Sequence, residues 1–369
     1  MAVLPADLLT RPAEEAARLV ALDRLDAAAA ALARCLEADD PDALHDFRVA
    51  LRRLRSLVRA YRPQLKGGAP KRLRRRLRQV SSGTNEGRDA EVLLDWLRVQ
   101  HESLSARERV GWRWLVARVE AREREAAEAL PNLAARFRKV EQRLRRRLAT
   151  YRLTVELEAN GAAAAHSFGA VTAAALRALA ADLEARFSDA PVPEPEDAAA
   201  VHSARIAAKR LRYLLEPVAN EAGAELVLER LRALQDLLGE LNDAHNATLA
   251  MAKAVEAAGA ERSRELFEKA LEGPSAEGTP VQRRDERPGL VALARTVGAR
   301  WKRGFVRLDG EWLHGRATPF FRELEALAGR LESPTPRRPS DAGAPEGGAG
   351  RWSAAGRAAR RSRRAPRGV

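Results

Sequence analysis

A single cysteine, Cys35, leaves this chain without any possible internal disulfide and suits a reducing compartment. It lies in a Leu/Ala helical pattern, where a packed small residue is a better reading than a nucleophile. Aromatic residues are only 5% of the sequence, and alternating apolar/polar runs of the kind strands need are missing. No apolar run is long enough to span a bilayer. The first twenty residues, broken by Pro, Asp, Arg and Glu, hold no signal-type apolar stretch. A cytoplasmic protein without a membrane partner is therefore expected. Catalytic signatures are missing too: no G-x-x-x-x-G-K-[ST] loop, no His/carboxylate cluster at metal spacing, no nucleophile beside a base. His101-Glu102 is followed by Ser103-Leu104-Ser105, so the second histidine of a zinc motif is lacking. The sequence predicts no metal, no cofactor and no catalytic residue.

What is abundant is Ala, Leu, Arg and Glu, in runs that favour helices. The 369 residues carry 65 Lys and Arg against 51 Asp and Glu, a formal net charge of +14. That excess is local. Residues 43–78 hold 13 Lys/Arg and one acid, Asp46; residues 333–369 hold 9 Arg against Asp341 and Glu346. The remainder of the chain is net negative, so the basic segments read as a site for an anionic partner.

Helical periodicity starts near Pro12 and runs to about Leu36. Asp40 and Pro41 open a second helix that ends before Pro63. Pro70 opens a short, very basic helix ending near Ser82. Longer helices are predicted at about 88–130, 132–158 and 165–187. Pro191-Val192-Pro193-Glu194-Pro195 reads as an extended linker. Helices resume at about 196–219, 224–238, 243–258, 260–271, 290–309 and 317–332. From Ser333 the composition is that of a disordered tail.

An internal repeat organises this pattern. His45-x-x-Arg48-Val-Ala-x-Arg52-Arg53-Leu-Arg55 returns, 157 residues later, as His202-x-x-Arg205-Ile-Ala-x-Lys209-Arg210-Leu-Arg212. Arg88-Asp89-Ala90 is answered by Asn242-Asp243-Ala244. On a helix at 100° per residue, His45, Arg48, Arg52, Arg55, Arg59 and Arg62 share an arc of about 100°. Phe47, Leu51, Leu54 and Val58 occupy the neighbouring face. His202, Arg205, Lys209 and Arg212 form the matching arc of the second copy. A cation thus recurs about every 5.4 Å along one side of each helix. Stacked like charges weaken a helix; a plain solvated face would mix Glu with Arg, and none occurs between Asp46 and Glu86. On the next helix Arg72, Arg75 and Arg76 cluster best away from Leu73, Leu77 and Val80, and 136–147 offers further basic positions. Arg53 and Arg210 fall outside the stripes, where pairing with Asp89 and Asp243 would fix helix packing; salt bridging suits those two aspartates better than metal binding.

The paired motifs, with Arg88-Asp89 and Leu238-Gly239…Asn242-Asp243, resemble the conserved-histidine α-helical domain, or CHAD, family. The resemblance covers about residues 10–332. It implies an all-α fold of two related four-helix-bundle halves, about 10–188 and 197–332, joined by the linker 189–196. A basic groove or pore would lie between them, followed by the tail 333–369. It also implies binding of inorganic polyphosphate and association with polyphosphate granules. Some members carry a triphosphate tunnel metalloenzyme domain; its acidic strand pattern is missing, so a stand-alone member is expected.

Polyphosphate is a regularly charged chain without bases, and a reader of it needs repeated cations and donors. Arginine donates two bonds to phosphate while staying charged. His45 and His202 can donate from one ring nitrogen, and a neighbouring polyanion favours their protonated form. Binding should weaken with salt. Two alternatives compete: non-specific nucleic-acid binding through the basic helices and the tail arginines (Arg357, Arg360, Arg361, Arg363, Arg364, Arg367), and a phosphate-chain-processing enzyme or its accessory subunit. Helix-turn-helix, zinc and RNP patterns are missing, as are stacking aromatics in the stripe. Trp301, Phe305, Trp312 and Phe320 sit at helical spacing and read as core.

Overall fold

In the computed structural model the described residues are 4–37, 40, 42–158, 166–188, 198–272 and 285–333. They are almost entirely helical: α1 (Ala13–Glu37), α2 (Ala43–Ala60), α3 (Lys71–Gly83), α4 (Asn85–Gln100), α5 (Glu108–Glu128), α6 (Leu130–Glu158), α7 (Phe168–Ser188), α8 (Ala198–Leu215), α9 (Ala224–Glu272), α10 (Arg287–Trp312) and α11 (Thr318–Glu332). Among them the sole β pairing is an isolated bridge between Pro12 and Ser167. The linker 189–196 and the tail beyond Ser333 lie outside the described residues, as do the tail arginines.

The packing order of α1–α6 recurs in α7–α11. α1 packs on α2 and α6, and α3 packs on the same two; α7 packs on α8 and α11, and α9 on the same two. α4 packs on α5 as α9 packs on α10. In this scheme the single helix α9 answers α3 and α4 together, which accounts for the match of Asp89 with Asp243. The stripe helices bury the faces their periodicity marks: Phe47, Leu51, Leu54 and Leu57 on α2, and Ala207, Ala208, Leu211 and Leu214 on α8. Trp301, Phe305, Trp312 and Phe320 are buried, as their spacing suggests, and Cys35 is half-buried.

Two boundaries differ from the sequence reading. The helix expected over 88–130 breaks after Gln100. Ser105 and Glu108 cap the start of α5: the Ser105 backbone N–H donates to Glu108 Oε2 at 2.9 Å and its hydroxyl to the same oxygen at 2.7 Å. Glu108 N–H returns a bond to Ser105 Oγ at 3.4 Å. This S-x-x-E capping box was readable in the sequence. Conversely, the three helices expected between 224 and 271 form one 49-residue helix. A glycine inside a helix costs about 1 kcal/mol, and burial of Leu237, Leu238 and Leu241 around Gly239 offsets it.

α5 and α10 approach closely enough that only glycine fits at the crossing. A Cβ on Gly111 would overlap the Glu286 carbonyl oxygen, and one on Gly289 would overlap that of Glu108. Gly289→Ala is expected to destabilise the protein by about 1–3 kcal/mol through forced separation of the two backbones. Thermal unfolding followed by circular dichroism checks this; an unchanged melting temperature would mean the two helices do not touch there.

Candidate anion-binding site

α2 packs directly against α8, so the two motif helices related by the repeat are neighbours. Their stripes meet. Lys209 is surrounded by Arg205 and Arg212 from its own helix and by Arg52 across the contact, with Asp243 the carboxylate that opposes them. Burial first, and those three guanidiniums second, push the Lys209 ammonium down to about 6. Arg205 feels Asp243, Arg52 and Asp89. Arg48, Arg55 and Arg205 are all held below the usual guanidinium range, with burial the leading cause in each.

Arg48 is the deepest of these cations, with 7% of its surface exposed. Its Nη1 donates to Glu91 Oε2 at 3.1 Å, and Arg88 reaches the other oxygen of that carboxylate at 3.1 Å. Gly87 gives Arg48 room, since a Cβ there would lie 3.2 Å from Arg48 Nη2. Two turns along α2 from Arg48, Arg55 Nη1 donates to Ser81 Oγ on α3 at 2.6 Å. The Nε groups of Arg48, Arg52 and Arg205 are buried and have no hydrogen-bond partner among the described residues. Buried donors in that state cost about 1–3 kcal/mol each.

His202 stands exposed at the head of its stripe, with Nδ1 2.9 Å from Asn242 Oδ1. The amide oxygen accepts, so Nδ1 carries the proton and Nε2 is available to another partner. His45 is half-buried at the head of α2. The neighbouring His245 imidazole is lowered by burial and then by His202.

Comparison with known proteins decides the family. The family model described as CHAD domain matches residues 19–252, well over half the chain. The chain belongs to the CHAD family. Among solved structures, the crystal structure of the CHAD domain from the plant Ricinus communis matches with a TM-score of 0.50 and 21% identity, covering 88% of this chain and 93% of that one. That likeness establishes the shared all-helical fold. No curated protein sequence matches the chain.

Within this CHAD domain not every expected residue joins the cluster. Arg53 and Arg210 do not pair with Asp89 and Asp243. Arg53 Nε lies 2.7 Å from Glu216 Oε2, and Arg210 is 4.0 Å from Asp182. Arg53 therefore ties α2 to the end of α8 in the other half of the repeat, whereas Arg210 ties α8 to its own neighbour α7. Asp89 and Asp243 instead lie near one another, and the Asp89 carboxyl is raised, by loss of water first and by the Asp243 charge second. Both line a cavity of about 610 Å³ that also includes Leu93, Trp96, Arg122 and Lys253. Arg212 is 3.8 Å from Glu216 and lies over the Tyr213 ring at 5.0 Å. Arg59 is exposed, in charge range of Arg55 and Arg210.

On α3, Arg72 and Arg75 are exposed and Arg76 is half-buried. Arg78 is the α3 cation that acts on Arg55. Arg74, Arg78 and Ser81 form one flank of the buried Leu73, Leu77 and Val80, at helical spacings of four and three residues. Arg72 and Arg76 lie on the opposite flank. The sequence reading did not place Arg78 or Arg88 among the binding residues and missed Glu91; the i, i+3 spacing of Arg88 and Glu91 was the signal for their pairing.

A cluster of unneutralised cations should hold the empty protein back from its full stability. Arg52→Met keeps the aliphatic bulk while removing one charge and one unsatisfied buried donor. It is expected to raise the melting temperature of the ligand-free protein, by about 2–4 °C for each kcal/mol relieved. The difference should narrow in salt of about 0.5 M, which screens the repulsion of the wild type. Scanning calorimetry at two salt concentrations measures both; a lower melting temperature for the variant would show that Arg52 is a net stabiliser.

Proposed function

We propose that this CHAD domain binds inorganic polyphosphate without cleaving it. One observation carries the reading: two repeated cationic stripes converge across the α2–α8 contact, with buried Nε donors on Arg48, Arg52 and Arg205 that lack acceptors among the described residues. A phosphate chain supplies both the negative charge and the acceptor oxygens at a regular spacing. Arginine forks match those oxygens two at a time. The stripe holds no aromatic platform on which a base would stack, which favours a polyanion without bases. Glu91 and Asp243 orient and partly balance the cations, a role in capture rather than in bond cleavage; non-enzymatic binding is part of the proposal. So are a cytoplasmic setting and association with polyphosphate granules, which the family suggests. Among the described residues no helix is long and apolar enough to cross a membrane.

The test is a titration with long-chain polyphosphate and with duplex DNA at equal phosphate concentration, across a salt series. Polyphosphate should bind more tightly, with a steep salt dependence. Each charge-assisted bond contributes about 1.5–3 kcal/mol, so Arg52→Ala with Arg205→Ala should weaken binding by about 100-fold or more. Replacing Arg357, Arg360, Arg361, Arg363, Arg364 and Arg367 by glutamine should change it little. If DNA binds equally well and the tail substitutions abolish both, the protein is a general polycation and the proposal fails.

Lys209 adds a proton signature. At pH 8 its amine lies above its lowered value of about 6 and is neutral in the empty site. A bound phosphate chain favours the ammonium form, so binding takes up a proton. Affinity should rise as pH falls from 8 towards 6 and level off below, where the lysine is already charged. Calorimetric titrations at pH 8 in buffers of different ionisation enthalpy count the proton. Lys209→Met should lose that uptake while still binding; uptake unchanged in the variant would assign it elsewhere.

A further inference from the structure

The first stripe does not end where it meets the second. Beyond Arg59 the chain continues through Arg62 and Lys66, turns, and re-enters α3 at Lys71 and Arg74. These four cations, with Pro63 and Pro70, line a cavity of about 560 Å³. None of the four meets a carboxylate among the described residues. The connection that carries them is fixed from beneath. Tyr61, Leu65 and Ala69 are buried at 0%, 1% and 1% exposure. Leu65 N–H bonds the Tyr61 carbonyl and Ala69 N–H bonds that of Leu65, both within 2.9 Å. The Tyr61 hydroxyl is 2.8 Å from Thr172 Oγ1 on α7, and Arg147 Nη1 reaches the Gly67 carbonyl at 3.3 Å. A Cβ on Gly68 would strike Leu148, so the turn lies directly on α6. The helical i, i+4 bonds put Arg62 and Lys66 on one side of the chain.

Between the α2–α8 cluster and this cavity, α2 and α3 contribute cations and no carboxylate, since no acid lies between Asp46 and Glu86. Arg55 and Arg78 act on one another across α2 and α3. Arg74 and Arg78 share a flank of α3, one turn apart, which places Lys71 a further turn along the same side. From Arg52 to Arg62 is ten residues, about 15 Å along a helix. The second half offers nothing comparable. Between Arg212 and Arg230 there is no lysine or arginine, while Glu216, Glu221, Glu225 and Glu229 fall in that interval. The end of α8 and the start of α9 would repel a chain that the end of α2 and the start of α3 attract.

We propose that a long phosphate chain leaves the α2–α8 cluster in one direction only, along the α2–α3 face, and that the cavity of Arg62, Lys66, Lys71 and Arg74 is a second subsite holding its outgoing segment. This rests on the polyphosphate reading of the cluster. The two subsites act as linked sites on one chain, so occupancy of both raises affinity for ligands long enough to span them and leaves short ones unaffected. The protein thereby measures chain length.

Two probes separate the subsites: tripolyphosphate, too short to bridge them, and long-chain polyphosphate. The full-length protein is titrated with each, across a salt series, as wild type and with Arg62, Lys66, Lys71 and Arg74 all replaced by glutamine. A charge-matched control replaces the exposed Arg107, Arg113, Arg264 and Arg303, and melting temperatures confirm that all three proteins fold. The cavity variant is expected to bind long chains about tenfold or more weakly, with a salt slope shallower by about three units at roughly 0.7–0.9 per lost contact. Its affinity for tripolyphosphate should equal that of the control. Equal losses in the cavity variant and the control, or equal losses for short and long chains, would reduce the effect to net charge and overturn the second subsite. Unchanged long-chain binding would overturn it as well. Failure of the wild type to bind long chains at all would instead bring down the polyphosphate reading, and this inference with it.

Discussion

The site depends on holding like charges together, and the contact between α2 and α8 does this. Arg52 acts on Arg205 and on Lys209 across the contact, and like unit charges repel by roughly 4 kcal/mol for a separation of about 4 Å at an effective dielectric constant of about 20. Such a contact forms only if something else drives it. The apolar sides of the same helices supply that drive, with Leu51 and Leu54 on α2 and Ala207, Ala208 and Leu211 on α8 fully buried. Each fully buried leucine contributes about 1.5–3 kcal/mol relative to exposure. One helix therefore carries both terms: its buried side brings the cations together, and its other side presents them.

Two ion pairs hold that arrangement in register. Arg53 and Arg210 occupy the same place in the repeat; Arg53 reaches into the other half, to Glu216, and Arg210 holds α8 to α7 through Asp182. Glu216 is the more heavily used. It receives Arg53 at 2.7 Å and has Arg24 at 3.9 Å and Arg212 at 3.8 Å. A half-buried carboxylate among three arginines fixes the end of α8 against both α1 and α2. It also partly balances Arg212, as Glu91 balances Arg48, leaving Arg52, Arg205 and Lys209 as the centre of the site.

Much of this was legible in the sequence, for a specific reason. The stripes repeat polar residues at fixed spacing, and a polar pattern that recurs on one helical face is not explained by packing. The helices carrying His45 and His202, their buried faces and the matched Asp89 and Asp243 follow from period alone. What period does not encode is which flank of a helix turns to which neighbour. On α3 the cations fall on both sides of Leu73, Leu77 and Val80. The Arg72/Arg76 flank and the Arg74/Arg78 flank are equivalent by helical angle; the interhelix contact alone selects Arg78 to face Arg55. Partners far apart in sequence are hidden in the same way. Glu216 lies four residues beyond Arg212 in the second stripe, yet it anchors Arg53 of the first helix. The break between α4 and α5 is of another kind: the capping box of Ser105 and Glu108 marks it locally, within four residues of sequence.

The two halves are alike in plan and unlike in charge, and one substitution between them has a chemical meaning of its own. Arg52 and Lys209 are counterparts in the repeat, and they meet in the cluster. Arginine keeps its proton under any ordinary condition, so a cluster made only of arginines would hold its full repulsion when empty. A lysine in the same place can let go of a proton. With its ammonium pushed down to about 6 by burial and three guanidiniums, Lys209 leaves the empty site one charge lower at neutral pH. An arriving polyanion restores that charge by favouring the protonated form. The cluster is then less strained when empty and more attractive when filled than four arginines would be. That difference arises from a single side chain and needs no movement of the backbone.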